Sequence, residues 1–274
     1  MTSDNNMHYK AFIITFIAVI SCFYNVEADS EKSEHEWDIL IFTQQWPVTE
    51  CMEIKEHHHE ATCNMPSKID SWSIHGVWPT KLGTIGPGFC NRTWLFDPEK
   101  VRPIENELMQ SWTNIDAGSS RYSFWAHEWN KHGTCAAMLE SLNSEFKYFS
   151  KGLEWFSKFS MGDILADGNI TPSSVEGYNI SEIHNAIKRK LGVNPAIECR
   201  KEDGLSLISE IRICFDKKLN LHDCDGIKKH KNIGGQTIIT NCDSSQHVFY
   251  LHYPPGQTLV QLFKLVGFIK WLTL

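Results

Sequence analysis

The sequence predicts an α+β fold in which a central antiparallel sheet is flanked by helices. Segments typical of strands lie towards both ends of the chain, at residues 37–46, 71–78 and 205–215, and helical spacing lies mainly between them. The order lacks the regular alternation of strand and helix that builds a parallel sheet. These observations favour the α+β class, and 274 residues suffice for one large domain or two small ones.

Each element follows from the local pattern of apolar and turn-forming residues. The first strand is rich in Ile, Leu and Phe, Pro79 ends the second, and the third alternates from Ile211 to Phe215. Helical spacing covers residues 98–112, most of 121–142, then 146–159 and 181–191, where Gly192 follows. Composition predicts loops over 49–66 and 81–88 and an irregular hairpin region over 214–242.

The N-terminal segment has the pattern of a secretory signal peptide. Lys10 precedes an apolar run over 11–24, and small residues at Val26 and Ala28 match the spacing that signal peptidase cleaves. The run is too short for a membrane span. We therefore expect a signal peptide over 1–28 and a folded domain over 29–256.

The cysteines and glycosylation sequons agree with secretion. Nine cysteines are present, and removal of Cys22 with the signal peptide leaves eight, which predicts four disulfides with 105 possible pairings. Three sequons begin at Asn91, Asn169 and Asn179. The expected location is the secretory pathway, leading to the cell exterior or to a lysosome-like acidic compartment.

The C-terminal tail, residues 257–274, is apolar. Lys264 and Lys270 are its charged residues. An amphipathic helix that docks on the domain, association with a membrane surface, and a tail from alternative splicing are the three interpretations. The tail is too short and too charged to predict a firm membrane span.

The net charge argues against a protein that simply adheres to nucleic acid. At pH 7 the formal charge is −7, whereas non-specific binding to nucleic acid depends on basic surface. The chain has 13 histidines, many of which would be protonated near pH 5. A net positive surface is therefore expected only in an acidic compartment.

Two segments some fifty residues apart concentrate ionisable groups beside tryptophans. Residues 72–79 contain His75, and residues 124–135 contain His127, Glu128, Lys131 and His132. On an α-helix the last four side chains fall within an arc of about 140°, on one face. Buried charge is costly unless it is paired, so this density predicts an active site.

A zinc site is the first alternative for these histidines. The metalloprotease motif needs histidines at the first and fifth positions of His-Glu-x-x-His, but here Lys131 takes the fifth position. The imidazoles then no longer share a helical ridge, and an ammonium group is a poor neighbour for zinc. We expect no metal and no cofactor. The His57–His59 run reads as a solvated loop, with adventitious metal binding as its alternative.

Two imidazoles without a nucleophilic Ser or Cys suit a substrate that supplies its own nucleophile. RNA does so through its 2′-hydroxyl, which DNA lacks, so the expected partner is single-stranded RNA and not DNA. A neutral His takes the hydroxyl proton and a protonated His donates one to the leaving oxygen. Lys131 and a further His can stabilise the added negative charge.

The two segments resemble the paired active-site motifs of the ribonuclease T2 family of acid endoribonucleases. The resemblance runs from about Trp37 to Tyr253 and includes residues 45–47, 90–92 and 132–137. It implies a metal-free reaction through a 2′,3′-cyclic phosphate with little base specificity. It also implies catalytic roles: His132 as base, His75 as acid, His127 as phosphate ligand, and Glu128 and Lys131 as stabilisers of the pentacovalent state.

The same resemblance implies four disulfides and two base-stacking residues. The stacking residues would be Trp78 and Phe124, for which core packing is the alternative interpretation. Many relatives carry Asp where this chain has Thr80, which predicts an altered base preference. The implied disulfides are Cys51–Cys63, Cys90–Cys135, Cys199–Cys242 and Cys214–Cys224.

The sequence favours an active endoribonuclease, expected to be a monomer. The alternative is a secreted ribonuclease-like protein whose main role is signalling or binding. All five catalytic candidates are present, and inactive relatives typically lose a catalytic histidine. The intact set therefore favours the enzyme.

Overall fold

The computed structural model describes residues 35–84, 86–227 and 230–253. The predicted signal peptide, Cys22 and the C-terminal tail lie outside the described residues. The chain runs through eight α-helical segments and nine strands in the described part. The strands are β1 Ile39–Gln45, β2 Ser73–Thr80, β3 Gly177–Tyr178, β4 Ala196–Glu202, β5 Leu205–Phe215, β6 Leu221–His222, β7 His230–Ile233, β8 Gln236–Thr240 and β9 Val248–Phe249.

The helices occupy the middle of the chain, as the sequence predicts. They are α1 Pro47–His57, α2 Pro98–Val101, α3 Glu105–Ser111, α4 Arg121–Glu128, α5 Thr134–Ala136, α6 Glu145–Lys158, α7 Met161–Ala166 and α8 Ile180–Leu191. Short 3₁₀ turns lie at Arg102–Ile104 and Glu140–Leu142, and a π-helix at Trp129–Gly133 joins α4 to α5. Gly192 ends α8 with a left-handed φ of 77°, as expected for a C-terminal glycine.

The sheet is mainly antiparallel, which confirms the predicted α+β class. Its main path has the order β2-β1-β5-β4-β8-β7. The pairs β2–β1, β1–β5 and β5–β4 are antiparallel. Two pairs, β4–β8 and β5–β9, are parallel and bring the end of the domain back to the sheet. β1 and β5 therefore lie in the interior of the sheet, where their neighbours contribute the site described below.

The predicted loop over 49–66 is wrong in its first half, because residues 47–57 form α1. Pro47 begins the helix, and Pro47, Val48 and Thr49 are buried. The Thr49 hydroxyl donates to Ile208 O of β5 at 2.6 Å. The exposed polar residues lie at the end of the helix, at 55–57, whereas its first turn is fixed to the sheet by this hydrogen bond. Tertiary contact therefore stabilises a helix that composition alone did not predict.

The two faces of the sheet have different surroundings. One face carries the main core, where Trp155 of α6 stacks on Phe215 of β5 with ring centroids 4.0 Å apart. On the other face a small apolar cluster includes Ile41 and Cys214, with Trp78 packed against it. Cross-strand pairing places Ile41 opposite both Trp78 and Cys214. The charged residues of β5 continue along this second face.

All four predicted disulfides are present: Cys51–Cys63, Cys90–Cys135, Cys199–Cys242 and Cys214–Cys224. The first fixes α1 to the loop that follows it. The second connects residues after the π-helix to the loop that precedes α2. In the described part of the chain, no helix has the length and apolar character needed to cross a membrane.

Candidate active site

His75 lies at a β-bulge in β2. Residues Thr43 and Gln44 of β1 pair with Gly76 and Ile74, so His75 is the extra residue between them. A bulge interrupts the ladder and re-aims the side chain at that position. Trp112 Nε1 donates to His75 O at 2.9 Å and holds the bulged backbone. The His75 side chain is 29% exposed, so part of its ring is open to a ligand.

Glu128, the last residue of α4, is joined to β2 through Trp78. Trp78 Nε1 donates to Glu128 Oε2 at 2.8 Å, and Glu128 is 1% exposed. Gly76 makes this approach possible: a Cβ there would lie 2.1 Å from both Glu128 Oε2 and Trp78 Nε1. This steric role of Gly76 follows only from the packing of helix against strand.

The prediction that these four ionisable side chains share one face of an α-helix is wrong in detail. α4 ends at Glu128, and residues 129–133 form a π-helix in which Thr134 N donates to Trp129 O, five residues earlier. Glu128 is buried, whereas His127 is exposed and Lys131 and His132 are half-buried. A π-helix places residues five apart above one another, and such segments are frequent at functional sites. His127 and His132 therefore converge, with ring centroids 6.2 Å apart.

The convergence of the two histidines corrects one of the reasons for expecting no metal. The imidazoles do share a ridge, because the π-helix replaces the α-helical register assumed above. Candidate ligand atoms of His127, Glu128 and His132 lie within 4.8 Å of one another. Lys131 remains close enough to lower the pKa values of both histidines through its charge. The expected absence of a metal thus depends on this ammonium group and on Glu128, whose carboxylate is already bonded to Trp78.

The two imidazoles that pack against Trp78 have opposite electrostatic surroundings. Ring centroids of His75 and His132 lie 4.9 and 5.5 Å from that of Trp78. Burial would lower the pKa of His75, but Glu210, with help from Glu128 and Glu50, raises it to about 9. Burial, together with Lys131, lowers the pKa of His132 well below its usual value. At neutral pH one imidazole is protonated and the other is neutral.

Two residues that the sequence analysis did not assign complete the site. Glu210 Oε1 lies 2.6 Å from His75 Nδ1, and Arg212 Nη2 donates to Glu210 Oε2 at 2.6 Å. Burial raises the pKa of the Glu210 carboxyl, but His75 and Arg212 lower it to about 2. In β5, Glu210 and Arg212 alternate with isoleucines, a pattern that leaves open whether the charged face is exposed or buried. Their burial on the second face of the sheet was not visible in the pattern.

A second carboxylate has the opposite shift. Burial raises the pKa of Glu128 to about 7, although His75, the Trp78 hydrogen bond and Lys131 each act to lower it. Glu128 is therefore largely neutral at pH 5 and largely ionised at pH 8. At pH 5, therefore, Glu210 is ionised whereas Glu128 in the same site is largely neutral.

The predicted base-stacking residues border the histidines. Trp78 and Phe124 are half-buried, and the Phe124 ring lies 5.8 Å from that of His75. The Arg212 guanidinium lies 5.4 Å from the Trp78 ring centre. Thr80 is 7% exposed, and its hydroxyl donates to Trp78 O at 3.3 Å. Base stacking on these rings stays a prediction, as does the effect of Thr80.

The remaining predicted sites lie on the surface. The sequon residues Asn91, Asn169 and Asn179 are all exposed, so each acceptor is accessible to a glycosyltransferase. The His57–His59 run is exposed where α1 ends: His57 is the last helical residue, and His58 and His59 lie in the loop that follows, as predicted. Glycosylation at each sequon stays a prediction.

The fold thus brings together, beside one tryptophan, two imidazoles whose pKa values are shifted in opposite directions. The ribonuclease T2 family model matches residues 37–224, and the chain therefore belongs to this family of endoribonucleases. It is 37% identical over 219 residues to ribonuclease Oy of Magallana gigas, covering 78% of this chain and 96% of the relative. It is 34% identical over 262 residues to ribonuclease T2 of Danio rerio, covering 92% of this chain and 100% of the relative.

Solved structures agree with this assignment. The crystal structure of human RNase T2 superposes with a TM-score of 0.62 at 29% identity, covering 79% of this chain and 99% of the human one. RNase NT in complex with 5′-AMP gives 0.61 at 30% identity, covering 76% of this chain and 100% of the other. The predicted family is confirmed.

Proposed function

We propose that this protein cleaves single-stranded RNA with little base specificity, using His132 as general base and His75 as general acid. The main support is that two imidazoles packed against the same tryptophan have opposite electrostatic surroundings. Glu210 favours the protonated form of His75, while burial and Lys131 favour the neutral form of His132. Acid and base are thus in the required forms before substrate binds.

The first step is an internal transesterification. Neutral His132 removes the 2′-hydroxyl proton as the 2′-oxygen forms a bond to phosphorus. The bond from phosphorus to the 5′-oxygen breaks, and His75 donates its proton to that oxygen. The products are a 2′,3′-cyclic phosphate and a free 5′-hydroxyl, and the imidazoles have exchanged protonation states.

The second step is hydrolysis of the cyclic phosphate. Now neutral, His75 takes a proton from water, and protonated His132 returns one to the departing 2′-oxygen. The product is a 3′-phosphate, and both imidazoles regain their starting forms.

Three further residues support the transition state. The Lys131 ammonium contributes positive charge, and the exposed His127 offers a hydrogen bond to the phosphate oxygens. Glu128, neutral below about pH 7 because burial raises its pKa, donates a hydrogen bond to the same oxygens. Trp78 and Phe124 offer apolar surface against which bases can stack without sequence readout. The 5′-AMP bound by the structural relative RNase NT supports a nucleotide site in this fold.

Cleavage of single-stranded RNA by purified protein at pH 5 tests the proposal. Substitutions His75→Asn and His132→Asn retain a polar side chain of similar size, and loss of either catalytic imidazole should lower the rate by about 10²–10⁴-fold. The exposed His59→Asn is the matched control and should cleave at the native rate. Unchanged cleavage by both site variants would refute the assignment.

A chelator tests metal independence. Cleavage should persist in excess EDTA, because Lys131 lies beside the convergent ligand atoms. Loss of cleavage in EDTA with recovery on adding Zn²⁺ would contradict the metal-free mechanism.

We further propose that the protein enters the secretory pathway and acts in an acidic or extracellular compartment. Four disulfides and three exposed sequon asparagines support this location. Sequencing the N-terminus of the mature protein from a eukaryotic host should give Asp29 if the signal peptide ends at Ala28. An intact N-terminus on cytosolic protein without glycans would contradict the proposal.

A further inference from the structure

The Glu210 carboxylate is held between His75 and Arg212. Its Oε1 lies 2.6 Å from His75 Nδ1, while its Oε2 accepts from Arg212 Nη2 and Nε at 2.6 and 3.1 Å. Arg212 is in turn 3.3 Å from Glu198 Oε1 on β4. The Glu210 side chain is 11% exposed and that of Arg212 14%. Both oxygens of this carboxylate are therefore oriented by charged partners on the second face of the sheet.

The contact restricts which part of the His75 ring can meet a substrate. Nδ1 faces Glu210, the ring packs edge-on against Trp78 at 4.9 Å, and Phe124 lies on another side at 5.8 Å. With Nδ1 engaged, Nε2 is the nitrogen that can reach a bound phosphate. A carboxylate that binds one nitrogen of an imidazole fixes the ring orientation and the proton position on the other nitrogen.

We propose that Glu210 is a positioning residue that directs Nε2–H of His75 at the leaving 5′-oxygen. The inference rests on the proposed function of His75 as general acid. Glu210 touches no reacting atom and acts through His75. Arg212 fixes Glu210, so β5 supplies the support and β2 supplies the acid.

Other charges face His75, but they act differently. Glu210 combines its charge with a direct hydrogen bond, whereas Glu128 and Glu50 act on the imidazole through charge alone. His127 and His132 face it as potential cations. Removal of Glu210 should therefore loosen the ring and make it lose its proton at lower pH.

The alternative is that Glu210 forms a purely structural ion pair with Arg212. Two substrates separate these possibilities. A dinucleoside monophosphate needs a proton on its departing alkoxide, whereas uridine 3′-(4-nitrophenyl phosphate) releases a phenolate that leaves without one. A defect confined to the general acid slows cleavage of the first substrate but not of the second, whereas a general structural defect slows cleavage of both.

The experiment compares native protein with Glu210→Gln on both substrates from pH 4 to 10. For the dinucleotide, kcat should fall by about 10²-fold with KM within about threefold, in line with the usual contribution of a general acid. For the nitrophenyl ester, the change should be below about threefold. The basic limb of the dinucleotide profile should shift to lower pH. Glu210→Asp should recover part of the rate.

Glu198→Gln is the matched control, because Glu198 also contacts Arg212 from a neighbouring strand and is 5% exposed. It should keep native rates and the native basic limb. Equal losses on both substrates with Glu210→Gln, or native rates on both, would overturn the inference. If His75→Asn also cleaves the dinucleotide at the native rate, the proposed function fails instead. Loss with His75→Asn but not with Glu210→Gln refutes the positioning role alone.

Discussion

Replacement of Gly76 by alanine tests how the catalytic helix is joined to the sheet. The added methyl would lie 2.1 Å from Glu128 Oε2 and from Trp78 Nε1, the two atoms of the bond between helix and strand. Carbon atoms in contact prefer about 3.5–4.0 Å, so the two side chains must move apart. Gly76 is not among the residues with positive φ, so the effect of Gly76→Ala is steric.

The magnitude follows from two losses. Overpacking a buried site costs about 1–3 kcal/mol, and breaking a hydrogen bond to a charged group that stays buried costs about 1.5–3 kcal/mol. Partial relaxation leaves an expected decrease of about 2–5 kcal/mol in the free energy of unfolding. In a domain of this size a decrease of 3 kcal/mol lowers Tm by about 6–12 °C.

Thermal unfolding followed by circular dichroism, with RNA cleavage measured in parallel, checks this result. Gly162→Ala in α7 is the matched control, because its nearest neighbour would be Trp72 Cδ1 at 3.9 Å. It should leave stability unchanged or raise it by about 0.5–1 kcal/mol. Combining Gly76→Ala with Glu128→Ala should give less than the sum of the two losses, because both act on one contact. A native Tm and native cleavage in Gly76→Ala would refute the reasoning.

Three other variants test separate parts of the site. Glu128→Gln mimics the neutral carboxyl at every pH, so its dinucleotide kcat/KM should lose the decline expected of the native enzyme near pH 7, which lies below the decline expected near pH 9 from His75; an unchanged profile from pH 5 to 8 would contradict this role. Joint replacement of Cys90 and Cys135 by Ser opens a loop with a sequence separation of 45 and should lower stability in urea by about 3–4 kcal/mol; a native unfolding midpoint would contradict it. Thr80→Asp should change the ranking of dinucleotide substrates, and an identical ranking would remove Thr80 from base preference.

Much of the fold was predictable because it depends on local pattern. β1, β2 and β5 follow runs of apolar residues, and α6 and α8 follow helical spacing with a polar N-terminal residue or a C-terminal glycine. α1 was missed because its helix depends on a buried first turn and a long-range bond from Thr49. Such support comes from residues distant in sequence and leaves no local signal.

The sequence by itself determined which chemistry is available. Residue type makes His75, His127 and His132 proton carriers near neutral pH, and spacing brings the last two into one segment with Glu128 and Lys131. Resemblance then implied a role for each. These properties belong to the side chains and to their order along the chain.

Only the tertiary structure decided how the histidines differ. Burial and the charges of neighbours set a pKa: Glu210 on β5 raises that of His75 on β2, whereas burial within the packed domain, with Lys131 beside it, lowers that of His132. The bulge at His75 and the π-helix at 129–133 likewise arise from packing rather than from propensity. Electrostatic interaction depends on distance in space, so identical imidazoles acquire opposite protonation states only once the chain has folded.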